Sequence, residues 1–251
     1  MKTRVLTAVV GLCLLAVVLV FFDTALFDLV LALICLIGMH EVYSAMGFGR
    51  RQWYLFVAAI PYTLLVMLST TEAVRVLVLP ASFLIVLFYN ICLVAKHEEL
   101  DFGKLSGFTY FSGVILFCFY SLVHLKRKLP VDVYGNDAIY FILLILCFAW
   151  GGDTAAYFTG RAFGKHKLAP RVSPHKTVEG AVGGVLGSML AGVLLTFVYN
   201  QLSGRFDLFS INVTVRHYLV LLVLGAVASV LGIFGDLFAS AVKRQAGIKD
   251  Y

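Results

Sequence analysis

Charge is scarce in this sequence. Only 14% of its 251 residues are Asp, Glu, Lys or Arg, whereas 61% are hydrophobic. A soluble globular domain is roughly a quarter charged and about half apolar, and one of this length has no interior large enough for so many apolar side chains. Lipid is therefore the expected medium, which excludes an ordinary soluble fold. Internal repeats and low-complexity linkers are absent, so the chain reads as one membrane domain. Walker A, HExxH and CxxC patterns are missing, and no pair of histidines has metal-ligand spacing. His40 is of interest only because it adjoins Glu41, and His124 and His217 read as interfacial residues. The cysteines, Cys13, Cys35, Cys92, Cys118 and Cys147, are odd in number and each lies inside an apolar run. They are expected to be small buried apolar residues rather than a disulfide or metal framework.

The apolar residues fall into about eight spans, near 4–22, 25–46, 52–69, 74–95, 106–125, 137–160, 178–200 and 215–245, against the roughly 20 residues a membrane helix needs. The fold class expected is an all-α polytopic bundle. Its N-terminal spans cover about 1–125 and its motif-bearing spans about 137–251. Span three carries Pro61, which membrane helices tolerate when neighbours satisfy the freed carbonyl. Met1 to Phe22 has the basic start and apolar stretch of a signal peptide. However, Asp23-Thr24 interrupts any small-x-small cleavage site and another span follows at once, so a retained first helix is expected. With the N-terminus cytoplasmic, the inner segments hold fourteen Lys and Arg residues and the outer ones six. The positive-inside rule favours that orientation, although Lys126-Arg127-Lys128 falls on the outer side and argues the other way. Net charge +6, placed between apolar spans, points to lipid headgroups and anionic substrates rather than nucleic acid.

Acids inside membrane spans are costly and tend to be functional. Glu41, Asp153, Glu179 and Asp236 all fall toward the inner side, beside the most basic connector, 161–177. Ordinary pairing of each acid with a nearby cation is the plainer alternative. Three clusters carry the chemistry. Gly151-Gly152-Asp153-Thr154 and the small residues after it permit close helix packing, but packing alone does not call for the acid. Lys167 to Gly180 sets Ser173, Lys176, Thr177 and Glu179 at an expected helix start, where free N–H groups favour phosphate. An N-cap at Ser173 with Pro174 behind it would also explain the hydroxyl, but not the extra cations. In the third cluster, Asp236, Ser240 and Lys243 lie within about 60° on one helical face, with Arg244 adjacent. Hard oxygen ligands beside cations suit Mg²⁺ and phosphate; a lone salt bridge with snorkelling cations is the simpler account.

The ordered motifs Gly-Asp-Thr-Ala-Ala-Tyr from Gly152, Phe163 through Gly180, and Ser240-Ala-Val-Lys243-Arg244-Gln-Ala-Gly-Ile-Lys249-Asp250 together resemble the phosphatidate cytidylyltransferases. The likeness covers the chain and is specific from about Trp150 onward. It implies transfer of a cytidylyl group from CTP to phosphatidic acid, giving CDP-diacylglycerol for phospholipid biosynthesis. Asp236, Lys243, Arg244 and Asp153 are then expected in catalysis, and Asp236, Asp250 and Asp153 as ligands of Mg²⁺, a second cation being left open. Lys167, Ser173, Lys176, Thr177, Glu179, Ser240 and Lys249 are expected to bind substrate. The expected partners are CTP, phosphatidic acid and membrane lipids, without nucleic acid, and a homodimer is compatible with the reading. The expected setting is a bacterial inner membrane with the site facing the cytoplasm. In that family the Lys-Asp pair is followed by Pro-Gly-His-Gly-Gly, Asp-Arg-x-Asp and a last membrane helix, whereas this sequence stops at Tyr251. The resemblance thus implies a missing C-terminal helix with a further metal-binding Asp, and a fragment that can be inactive. Two other functions are compatible with buried acids: a transporter or channel with a charged pathway, and a Mg²⁺-dependent polyprenyl-phosphate transferase.

Overall fold

A computed structural model describes residues 2–206, 213–245 and 247, with side chains from 9–203, 213–245 and 247. All eight apolar spans are helical. Six of them are long and apolar enough to cross a membrane among the described residues: Ala25–Ala45, Glu72–Ala95, Phe102–Lys128, Asp137–Phe163, Val178–Ser203 and Val215–Gln245. The protein is thus a polytopic helical membrane protein. The remaining spans fall short: Trp53–Met67 has 15 residues, and Val9–Val20 is a shorter apolar stretch.

By packing the chain divides into two compact units, Met1–Pro130 and Val131–Tyr251. The first contains α1 (Lys2–Val20), α2 (Ala25–Ala45), a 3₁₀ turn at Arg50–Gln52, α3 (Trp53–Met67), α4 (Glu72–Arg75), α5 (Val78–Ala95) and α6 (Phe102–Lys128). Thr24 caps α2 by accepting from Leu26 N, and Asp101 caps α6 by accepting from Lys104 N at 2.8 Å. Each thereby satisfies a donor the helix leaves unpaired. Its core gathers Tyr43, Phe48, Leu55, Tyr89, Leu105 and Phe108. Much of the remaining apolar surface, such as Leu79, Phe117 and Val94, is exposed, as expected where the neighbour is hydrocarbon. Cys13 and Cys118 are exposed on such faces, against the burial expected for them; only Cys35 is fully buried, and all five thiols are free. An apolar residue of a membrane helix can be satisfied by lipid as well as by protein.

The second unit contains α7 (Val131–Tyr134), α8 (Asp137–Phe163), β1 (Lys167–Ala169), β2 (Ser173–Thr177), α9 (Val178–Phe206) and α10 (Val215–Gln245). Glycines let α8 and α9 close to backbone contact. A Cβ on Gly187 would lie 3.0 Å from the Gly151 carbonyl oxygen and overlap Ala155, and one on Gly183 would overlap Thr159. Small residues drive such association in lipid, where the hydrophobic effect offers nothing between helices. Ser188 Oγ donates to Phe148 O at 3.0 Å across the same seam. The all-α expectation needs one correction. Connector 161–177 contains an antiparallel hairpin, β1 with β2, pairing Lys167 with Thr177 and Ala169 with Ser173 around an irregularity. Ser173 and Pro174 consequently lie on a strand, not at a helix start.

Candidate functional site

The hairpin hangs from the junction of two membrane helices. Gly164 ends α8, donating its N–H to Gly160 O at 3.0 Å. No side chain fits there: a Cβ would collide with that carbonyl and lie 2.8 Å from Thr177 Cγ2. After β2, α9 begins at Val178, and Thr177 Oγ1 accepts from Gly180 N at 3.1 Å, the reach of an N-cap side chain. The capping role that was the alternative reading of Ser173 therefore belongs to Thr177. Its hydroxyl also faces Gly160, where an added Cβ would lie 3.0 Å away, so hairpin, α8 and α9 meet at one crowded point.

Beside this junction opens a cavity of about 600 Å³, within the roughly 300–1,000 Å³ usual for small-molecule sites. α8 contributes Asp153, Tyr157 and Arg161, the hairpin Ser173, His175, Lys176 and Thr177, and α10 Asp236. Lys176 Nζ lies 2.6 Å from Asp236 Oδ2. The Lys176 side chain is 29% exposed and that of Asp236 63%, so the pair fronts the opening and remains accessible to a ligand. Asp153 interacts electrostatically with Asp236 as a like charge and with Lys176 as an opposite one. A second crevice of about 290 Å³ shares Asp153, Ala156, Ile233 and Asp236 but continues past Phe148, Gly152, Gly184 and Ala228. The two carboxylates therefore stand where the two spaces meet.

Among the described residues, no group of three or more His, Cys, Asp or Glu side chains is arranged to hold a metal ion. Two carboxylates at one cavity are nevertheless a fitting donor set for Mg²⁺, which is commonly bound through one or two carboxylates together with substrate phosphates rather than by an all-protein cage. Asp153 and Asp236 are the residues placed to do so.

Of the residues singled out from the sequence, Asp153, Ser173, Lys176, Thr177 and Asp236 line the cavity. Lys167, Glu179, Ser240, Lys243 and Arg244 are not among its lining residues. Glu179 points back to the α8–β1 turn, accepting from Lys165 N at 3.1 Å and from His166 N at 3.2 Å, with His166 Nδ1 2.6 Å from its other oxygen. Glu41 belongs to the first unit and is exposed. Lys249 and Asp250 lie outside the described residues. Sequence reading passed over Tyr157, Arg161 and His175 as site residues. Arg161 and Tyr157 are four apart on α8 and touch, Nη1 to phenolic oxygen at 3.3 Å. That i,i+4 spacing was the available signal.

Residues 2–251 match the cytidylyltransferase family. The phosphatidate cytidylyltransferase of Thermotoga maritima is 30% identical over 251 residues, covering 100% of this chain and 85% of its own length. That of Staphylococcus haemolyticus is 28% identical over 263 residues, covering 100% of this chain and 88% of its own. That of Aquifex aeolicus is 30% identical over 233 residues, covering 92% and 73%.

Proposed function

The chain belongs to the cytidylyltransferase family, and from that premise we propose that its cavity joins CTP to phosphatidic acid, releasing pyrophosphate and leaving CDP-diacylglycerol in the membrane. The chain is an integral membrane enzyme of the nucleotidyltransferase kind. One observation carries the choice of site. Asp153, Lys176 and Asp236 come from α8, β2 and α10, far apart in sequence, and face a single cavity.

In the reaction, a phosphate oxygen of phosphatidic acid forms a bond to the α-phosphorus of CTP as the bond from that phosphorus to the bridging oxygen breaks. Pyrophosphate departs with the electron pair. The nucleophile is already an anion, so the protein needs no strong base. Its work is to bring two anions together and hold them in line. Lys176 from the hairpin and Arg161 from α8 supply positive charge to the cavity, and Ser173 and Thr177 add hydroxyls to its lining. Mg²⁺ bound by Asp153 and Asp236 would neutralise triphosphate charge as the leaving group forms. Lys176 is held by Asp236 and poised at the opening, so an arriving phosphate exchanges one acidic partner for another. The neighbouring apolar crevice suits the lipid end of the acceptor. A cytoplasm-facing site in a bacterial inner membrane, with the N-terminus inside, matches the distribution of Lys and Arg and the source of CTP.

The test is turnover by the full-length protein in detergent or vesicles. We expect conversion of phosphatidic acid that needs both CTP and Mg²⁺. Consumption of UDP-sugars with polyprenyl phosphate in place of CTP would reassign the enzyme, and undiminished turnover in Asp236→Asn would remove the cavity from the reaction.

A further inference from the structure

We infer that Glu179 and His166 are positioning residues that lock the base of the β1–β2 hairpin and thereby hold Lys176 in its place at the cavity. The inference rests on the proposed reaction for the consequences in turnover, and on the hairpin alone for its geometry.

Lys176 sits one residue from the end of a strand of five, in a hairpin of two short strands, and such a pair is marginal by itself. Its position depends on what closes the two ends of the loop. That closure is concentrated on His166, the residue just before β1. His166 O accepts from Val178 N at 2.9 Å. His166 N donates to Glu179 Oε2 at 3.2 Å, and its ring nitrogen Nδ1 lies 2.6 Å from Glu179 Oε1. Lys165 N donates to the same carboxylate at 3.1 Å. A single carboxylate in the first turn of α9 thus gathers the chain entering the hairpin, while the neighbouring Val178 amide ties down the chain leaving it. Hydrogen bonds to an ionised acceptor are roughly twice as strong as neutral ones. Glu179 is also anchored on a membrane-crossing helix, so the hairpin inherits the position of α9. Lys176, three residues before Glu179, then reaches Asp236 on α10 at 2.6 Å. Glu179 does not line the cavity; it acts through Lys176.

The measurement is a double-mutant cycle in the full-length protein, following KM for CTP and kcat separately. Glu179→Ala is expected to raise KM for CTP about tenfold, the range of one hydrogen bond to a charged group, with KM for phosphatidic acid unchanged. Glu179→Gln keeps a neutral acceptor and should fall between, and it serves if the alanine variant fails to fold. In a Lys176→Met background, Glu179→Ala should add little, because residues acting through one another are not additive. Fully additive effects, or an unchanged KM for CTP, would overturn the inference. A second readout needs no turnover. Lys165, Lys167 and Arg171 are exposed, and trypsin should cut there faster in Glu179→Ala and His166→Ala than in the wild type. Equal cutting also overturns the clamp. A wild-type protein with no CTP-dependent turnover would sink the proposed reaction instead, and the tryptic rates alone would then decide the clamp.

Discussion

Two acid–base pairs, one in each compact unit, show what burial does to the same chemistry. In the first unit Asp28 on α2 meets Lys126 on α6 at 3.0 Å, with side chains 1% and 8% exposed. Lys126 also donates to Thr24 O at 2.8 Å and sits near the faces of Phe22 and Phe27. The second unit pairs Lys176 with Asp236 at 2.6 Å, but in the open mouth of a cavity. The first lysine is buried with its acidic partner, out of the reach of a ligand. The second is held by one contact and faces substrate-sized space. Ion-pair distance does not distinguish structure from function here; what surrounds the pair does.

The sharpest way to break this contrast is to remove one partner of the enclosed pair. Asp28→Leu strands a buried ammonium and should cost about 3–5 kcal/mol of stability, read as a large fall in thermal midpoint in detergent with little change in the residual turnover of folded protein. Adding Lys126→Met should recover most of the loss; a double variant as unstable as the single one would deny that the charges explain each other. Next is Asp236→Asn, expected to reduce turnover by about 10²–10³ at nearly unchanged stability. A fall in thermal midpoint comparable to that of Asp28→Leu would erase the distinction. Lys176→Met should lower kcat/KM for CTP by about tenfold to a hundredfold, the range for hydrogen bonds between charged groups, again without unfolding. Smallest is Arg51→Ala, which removes a pair with Glu99 whose arginine side chain is 75% exposed. Such surface pairs contribute about 0–1 kcal/mol, so a thermal shift beyond a few degrees would show that exposure is a poor guide in this protein.

The membrane helices were legible because hydrocarbon imposes a length and a composition on anything that crosses it. The spans expected at 25–46, 74–95, 106–125, 137–160, 178–200 and 215–245 all reappear as helices long and apolar enough to cross a membrane. The hairpin was not legible. Its strands are short, Pro170 follows the first and Pro174 lies within the second, and the hairpin is closed by the contacts of His166 with Val178 and Glu179 rather than by any alternating pattern. The contacts of Glu179 with the Lys165 and His166 amides were not legible for a related reason: an acid at a helix start beside lysines looks the same in sequence whatever it meets. Lys126 misled as well, since it counted as a loop cation in the orientation argument while its partner lies 98 residues away. Arg127, counted beside it, is tied to Ser69 O and Tyr120.

The sequence by itself determined the medium, the helical class and the family, because hydropathy and ordered motifs are properties of short stretches read one after another. It also marked Asp153, Lys176 and Asp236 by residue type. Only the tertiary structure decided which charges meet, which are sealed away, and that Glu179 meets the amides of Lys165 and His166. Those outcomes depend on distances between segments, and such distances are set by how glycine-lined helices close on one another in lipid.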